Sequence, residues 1–116
     1  MLNHVTLLKF SGQTTDSDVD ELEKNLDELP NSIVEIQMFE FGRNLIPSAN
    51  AYDFAVLALF ANEEALNRYL QHPEHRVVMD KIERISQRLI TVDFYGSDAG
   101  SLREKPPENW LLEDDF

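Results

Sequence analysis

The sequence predicts an α+β domain with elements in the order β-α-β-β-α-β. This is the ferredoxin-like arrangement, a four-stranded antiparallel sheet with its helices on one face. Three observations predict it. Residues 4–10, 33–41, 52–60 and 89–95 read as strands, rich in β-branched and aromatic residues. The two longer segments between them repeat apolar residues at helical spacing. The third strand is apolar on both alternating faces, more than a sheet covered by helices on one side requires. That excess predicts two such sheets packing into a barrel across a homodimer.

The first strand is HVTLLKF, with His4, Thr6, Leu8 and Phe10 on one face. Ser11-Gly12-Gln13 reads as a loop, after which Thr15 or Asp16 caps a helix. Thr15 followed by Asp18 fits a capping box. Val19, Leu22, Leu26 and Leu29 form its buried stripe, and Asp20, Glu23, Lys24, Asp27 and Glu28 lie near or on a solvated acidic face. Pro30-Asn31 is expected to end it. The second strand is expected over Ile33–Phe41, closed by Gly42-Arg43-Asn44, with a loop over residues 45–51. The third strand, Tyr52 to Phe60, sets Tyr52, Phe54, Val56, Ala58 and Phe60 against Ala55, Leu57 and Leu59.

Asn62 caps the next helix, with Glu63 and Glu64 where the helix dipole favours acids. Pro73 interrupts it, because proline lacks the backbone donor and disfavours helix at His72. The helix is expected to resume near Glu74, with Val78, Ile82, Ile85 and Leu89 continuing an apolar stripe. Arg76, Lys81, Arg84 and Arg88 make it the basic helix of an acidic chain, suited to lie beside the acidic first helix. Leu89–Tyr95 reads as the fourth strand, ended by Gly96.

The chain has 116 residues, the size of one domain. The expected division is a barrel-forming domain over 1–96 and an acidic tail over 97–116. The formal net charge of −12 repels phosphate backbones and anionic bilayers, which argues against nucleic-acid and membrane partners. Cysteine is absent, which excludes disulfides, a thiol nucleophile and cysteine metal sites. The N-terminal apolar run is too short for a signal peptide, and a cytoplasmic protein is the default expectation.

HVTLLKF at the start, FEFGRN in the middle, YDFAVLALFANEEALNRYLQHPEH next and ITVDF at the end resemble the stress-responsive A/B barrel family, the Dabb domain. The resemblance covers roughly residues 3–95, and Tyr-Leu-x-His-Pro-x-His is its most distinctive part. It implies a dimeric α+β barrel. Functions in the family vary, from stress-associated oligomeric proteins of plants to a cyclase acting on a polyketide chain. In cyclase-type relatives the last histidine of the motif acts as base and the preceding tyrosine assists. By motif position these are His75 and Tyr69, and the histidine opening the first strand is His4. Such a His–Tyr pair suits proton removal beside a carbonyl, since imidazole titrates near neutrality and a phenol polarises the oxygen. The chain departs from the cyclase pattern at Phe54, where a histidine is usual, and at Leu26, where a tyrosine is usual. These departures predict a more apolar pocket and weaken the case for the cyclase reaction.

The pocket is expected between sheet and helices, lined by Thr6, Leu8, Phe54, Val56, Val78 and Leu89. Each candidate also has a structural reading. His72 is a helix cap at the break. His75 either faces the pocket or bonds a carbonyl freed by the break. Tyr69 is the core aromatic by preference over a site residue, and His4 is placed at a solvent-facing strand end by slight preference over the pocket. Asp53 and Asp93 are structural, bonding a neighbouring Thr or Arg, and Arg43-Asn44 shapes a loop by preference over binding an anion. No histidine–carboxylate set has ligand spacing, so neither metal nor cofactor is expected. Two functions follow. One is a homodimer that binds a small apolar ligand or is purely structural. The alternative is a cofactor-free cyclase, lyase or monooxygenase working through a His–Tyr pair. A filled interior would favour the first, and an open cavity lined by His75 and Tyr69 the second. In the tail, Trp110-Leu111-Leu112 is expected to dock on the body or on the dimer partner.

Overall fold

The structure is a computed structural model and describes residues 1–97. The docking expected of Trp110 lies outside the described residues. Strand β1 spans Leu2–Phe10, helix α1 Asp16–Ser32, strand β2 Met38–Arg43 and strand β3 Phe54–Phe60. Helix α2 spans Glu63–Gln71, helix α3 Pro73–Ile85 and strand β4 Ser86–Tyr95. The sheet is antiparallel throughout, in the order β2-β3-β1-β4. Among the described residues no helix is long and apolar enough to cross a membrane.

Helix α1 begins as its capping box requires. The Asp18 amide donates to Thr15 Oγ1 at 3.1 Å, and the Thr15 amide donates to Asp18 Oδ2 at 3.0 Å. It does not end at Pro30 but runs to Ser32. Pro30 sits in the last turn on the exposed side, where its missing N–H removes one ladder bond, and Ile33 N–H closes the helix on the Leu29 carbonyl at 2.9 Å. This corrects the second strand, which begins at Met38 rather than Ile33. Ile33 is fully buried and serves as the C-cap and a core side chain. Of the apolar run, Ile33 and Ile36 pack into the core while Val34 is exposed, and none of the three pairs as a strand.

Strand β2 also continues through Gly42 and Arg43, which were expected to close it. Arg43 stands opposite Phe54 and reaches back to α1, 2.7 Å from Asp20 and 3.0 Å from Glu23. Its guanidinium is therefore committed to carboxylates rather than to an external anion. Strand β3 starts at Phe54, not Tyr52. Asp53 ties the strand entry to β1: its carboxylate accepts from the Phe10 amide, and its own amide donates to the Leu8 carbonyl, each at 2.8 Å. The partner of Asp53 is thus backbone, not a Thr or Arg side chain.

Helix α3 hands over to β4 without a loop. The Ile85 carbonyl accepts from the Ser11 amide at 2.9 Å and from the Thr14 hydroxyl at 2.6 Å, so the helix end is satisfied from across the fold. Strand β4 accordingly begins three residues before the expected Leu89, and Arg88 lies in the strand rather than on the basic helix. The acidic and basic helices do pack together, with Lys81 Nζ 2.8 Å from Glu21 Oε2.

The two sheet faces differ. The inner face carries Leu2, His4, Thr6 and Leu8 of β1 and Phe54, Val56, Ala58 and Phe60 of β3, all buried under the helices. By register, Leu89, Thr91 and Asp93 of β4 lie opposite Leu8, Thr6 and His4. The outer face carries Val5 and Leu7, Leu57 and Leu59, and Ile90, Val92 and Phe94. Val92 is 59% exposed and Phe94 50% exposed in the single protomer.

Candidate functional site

The site is built on the break between α2 and α3. His72 has extended backbone at φ −66° and ψ 135°, ends α2 and starts α3. Its Nδ1 accepts from the Glu74 amide at 3.1 Å, and Pro73 takes the first helical position, where its missing donor costs nothing. In an unbroken helix the Glu74 amide would have served the Leu70 carbonyl. That freed carbonyl instead receives Nδ1–H of His75 at 3.2 Å. The break also swings the first turn of α3 back onto the last turn of α2, leaving the Tyr69 and His75 rings 4.3 Å apart.

His75 is 8% exposed, and burial pushes its pKa below the usual imidazole value, only partly opposed by the Leu70 hydrogen bond. Because the ring donates through Nδ1, its lone pair is on Nε2. Tyr69 is 4% exposed, and burial pushes its phenol well above the ordinary value, so it stays protonated. Its ring packs on Phe60 at 4.8 Å. Among the described residues the hydroxyl forms no hydrogen bond, so its proton is free to be donated.

Strand β1 delivers His4 to the same place. His4 was expected at a solvent-facing strand end, but it is 7% exposed on the inner face, its ring 6.1 Å from that of Tyr69. The alternation of β1 decides this, since the strand begins at Leu2 and His4 shares the helix-facing side with Leu2 and Thr6. Directly across the sheet, His4 Nδ1 donates to the Asp93 carboxylate, and His4 Nε2 lies 3.5 Å from the Thr6 hydroxyl. Asp93 is the residue that reading the sequence missed as part of the site. The signal was present in alternation: Leu89, Thr91 and Asp93 share one face of β4, and only the antiparallel register with β1 sets Asp93 against His4.

These residues surround an open cavity of about 210 Å³ between the sheet and the helices. Its polar lining is His4, Thr6, Tyr69, His75, Thr91 and Asp93, and its walls are mainly Leu26, Leu29, Val56, Val78, Ile82 and Leu89. Four expected lining residues, Thr6, Val56, Val78 and Leu89, do line it. Leu8 and Phe54 do not. They are 0% and 2% exposed, further along the inner face, where Phe54 stacks on Phe41 and Phe10 fills the end of the sheet. The departure at Leu26 makes part of the cavity wall apolar, whereas the departure at Phe54 is spent in the core. Among the described residues no group of three His, Cys, Asp or Glu side chains could hold a metal ion.

Comparison with known proteins places this geometry. A dimeric ferredoxin-like protein of unknown function from Thermobifida fusca is 30% identical, with a TM-score of 0.75 over 80% of this chain and 88% of that one. A Dabb family protein with a ferredoxin-like fold from Mesorhizobium loti is 20% identical, with a TM-score of 0.69 over 83% of this chain and 96% of that one. Hydroxynitrile lyase from Passiflora edulis shares the fold at 13% identity, with a TM-score of 0.75 over 84% of this chain and 94% of that one. No curated protein matches. The profile of the stress responsive A/B barrel domain matches residues 2–95, and the chain belongs to that Dabb family.

Proposed function

We propose that this Dabb protein is a homodimer that binds a small, mostly apolar molecule in the cavity between sheet and helices. The cavity carries the reading: mostly apolar walls with a few polar groups are the form of a small-molecule site. The homodimer rests on the outer sheet face, where Ile90, Val92 and Phe94 extend an apolar surface begun by Val5, Leu7, Leu57 and Leu59. The Thermobifida fusca relative is described as dimeric, which supports the same assembly here.

The protonation pattern at the break favours a second reading, proton transfer. His75 is neutral with its lone pair on Nε2, and Tyr69 beside it is protonated. Such a pair removes a proton from carbon while the phenol donates a hydrogen bond to the adjacent carbonyl oxygen. An open cavity lined by His75 and Tyr69, the outcome expected of the enzyme rather than of a dimer without catalysis, supports this second reading.

Native mass spectrometry of the purified protein tests binding through a co-purified small molecule. Exchange of solvent deuterium into the methyl group of acetophenone tests proton transfer. His75→Gln should slow that exchange about 100-fold or more, the usual contribution of a general base. Equal rates in both proteins would remove His75 from the chemistry while leaving the binding reading intact.

A further inference from the structure

Asp93 and His4 form a pair that the Tyr69–His75 reading does not use. The pair is set by backbone register: His4 of β1 stands directly opposite Asp93 of β4 in the antiparallel ladder. A carboxylate accepts hydrogen bonds, so His4 contributes Nδ1–H to it and the neutral ring carries its lone pair on Nε2. That nitrogen lies on the Thr6 side, 3.5 Å from a hydroxyl that itself lines the cavity. His75 is held in the same tautomer by a different partner, the Leu70 carbonyl. The cavity lining therefore offers the Tyr69, Thr6 and Thr91 hydroxyls as donors and two imidazole acceptors, with the His4 and Tyr69 ring centroids 6.1 Å apart.

We propose that Asp93 is a positioning residue that fixes the His4 tautomer, and that the cavity takes a small, mostly apolar compound bearing both a carbonyl and a hydroxyl. The carbonyl oxygen accepts from Tyr69, the ligand hydroxyl donates to His4 Nε2, and the apolar remainder lies against Leu26, Leu29 and Ile82. The two rings lie side by side at the cavity, 6.1 Å between centroids, so one small molecule can touch both. An analogue without the hydroxyl leaves His4 Nε2 only the long 3.5 Å bond from Thr6, so the site discriminates against it. The ligand assignment rests on the small-molecule reading given above; the tautomer assignment does not.

The first test is the nitrogen-15 spectrum of the histidine rings, recorded at about pH 8.5, above the ordinary imidazole range. The expected pattern for His4 is a protonated Nδ1 and a bare Nε2. Any other pattern overturns the role of Asp93. Asp93→Asn, at a carboxylate whose side chain is 42% exposed and so tolerant of exchange, should reverse the two nitrogens, since an amide can donate to Nδ1. The wild-type spectrum decides the tautomer even where the variant does not fold.

The second test compares 2-hydroxyacetophenone with acetophenone by calorimetry. The wild type should prefer the hydroxylated compound by about tenfold, the scale of one well-formed hydrogen bond, and Asp93→Asn should lose that preference. Equal affinity, or binding of neither compound, overturns the ligand assignment. A correct tautomer with no methyl exchange leaves the Asp93 inference standing and removes the proton-transfer reading, so the two failures are distinguishable.

Discussion

Leu57→Asp is the perturbation that separates the protomer from its assembly. Leu57 is at the centre of the outer face, opposite Val5 on β1 and Glu40 on β2. It faces away from the helices, so an aspartate there remains hydrated in an isolated protomer and the fold should survive. In the proposed dimer the same position is covered by the partner, and an unpaired carboxylate there costs about 3 kcal/mol per copy. A two-fold interface contains the substitution twice, so dimerisation should weaken by about 6 kcal/mol, roughly ten-thousandfold. A dimer with a dissociation constant of about 1 nM would then fall apart at about 10 µM protein. Sedimentation velocity over that concentration range reads the mass, and far-UV circular dichroism verifies the fold. Loss of fold would show that the outer face stabilises the protomer itself. A wild type that sediments as a monomer, or a variant that keeps the dimer mass, would refute the two-sheet barrel for this chain.

Two other outcomes follow from the break and its histidine. Pro73→Ala should retain the fold and lower stability by about 0.4–1 kcal/mol, because the proline already has the geometry its position needs. Helix content above wild type would mean that Pro73 alone keeps α2 and α3 apart. The folded-state pKa of His75 is lowered, so below the ordinary imidazole range the unfolded chain takes up a proton that the folded chain refuses. The stability due to neutral His75 is therefore full above the unfolded value and is lost as pH falls. Urea titrations at about pH 7.5 and 5.5 should show wild type losing more stability than His75→Gln, and parallel losses would refute the depressed pKa.

Much of this architecture is local. Alternation in HVTLLKF and YDFAVLALF places the strands, and the Thr15–Asp18 box and Asn62 place helix starts. Pro73 marks the break, because proline lacks the backbone donor and disfavours helix at the preceding His72, which is extended. The apolar excess of the third strand already implies a covered outer face. Boundaries were less legible where a long-range bond overrides a local signal. Pro30 is tolerated because it falls on the exposed side of a last turn, and β4 begins early because Ser11 and Thr14 satisfy the end of α3.

The site divides in the same way. His75 and Tyr69 are six residues apart across a break that the sequence announces, so their meeting is a local event. His4 and Asp93 are separated by 89 positions and meet only through the register of β1 with β4, which no periodicity states. The fate of apolar residues on one inner face is likewise global. Val56 borders the cavity, while Phe54, two residues earlier on the same face, is sealed among Phe10 and Phe41. Sequence alone determined the element order, the helix break and the Tyr69–His75 neighbourhood, because each follows from short-range backbone chemistry. Only the tertiary structure decided the His4–Asp93 pair and the shape of the cavity, because both depend on where distant segments pack against one another.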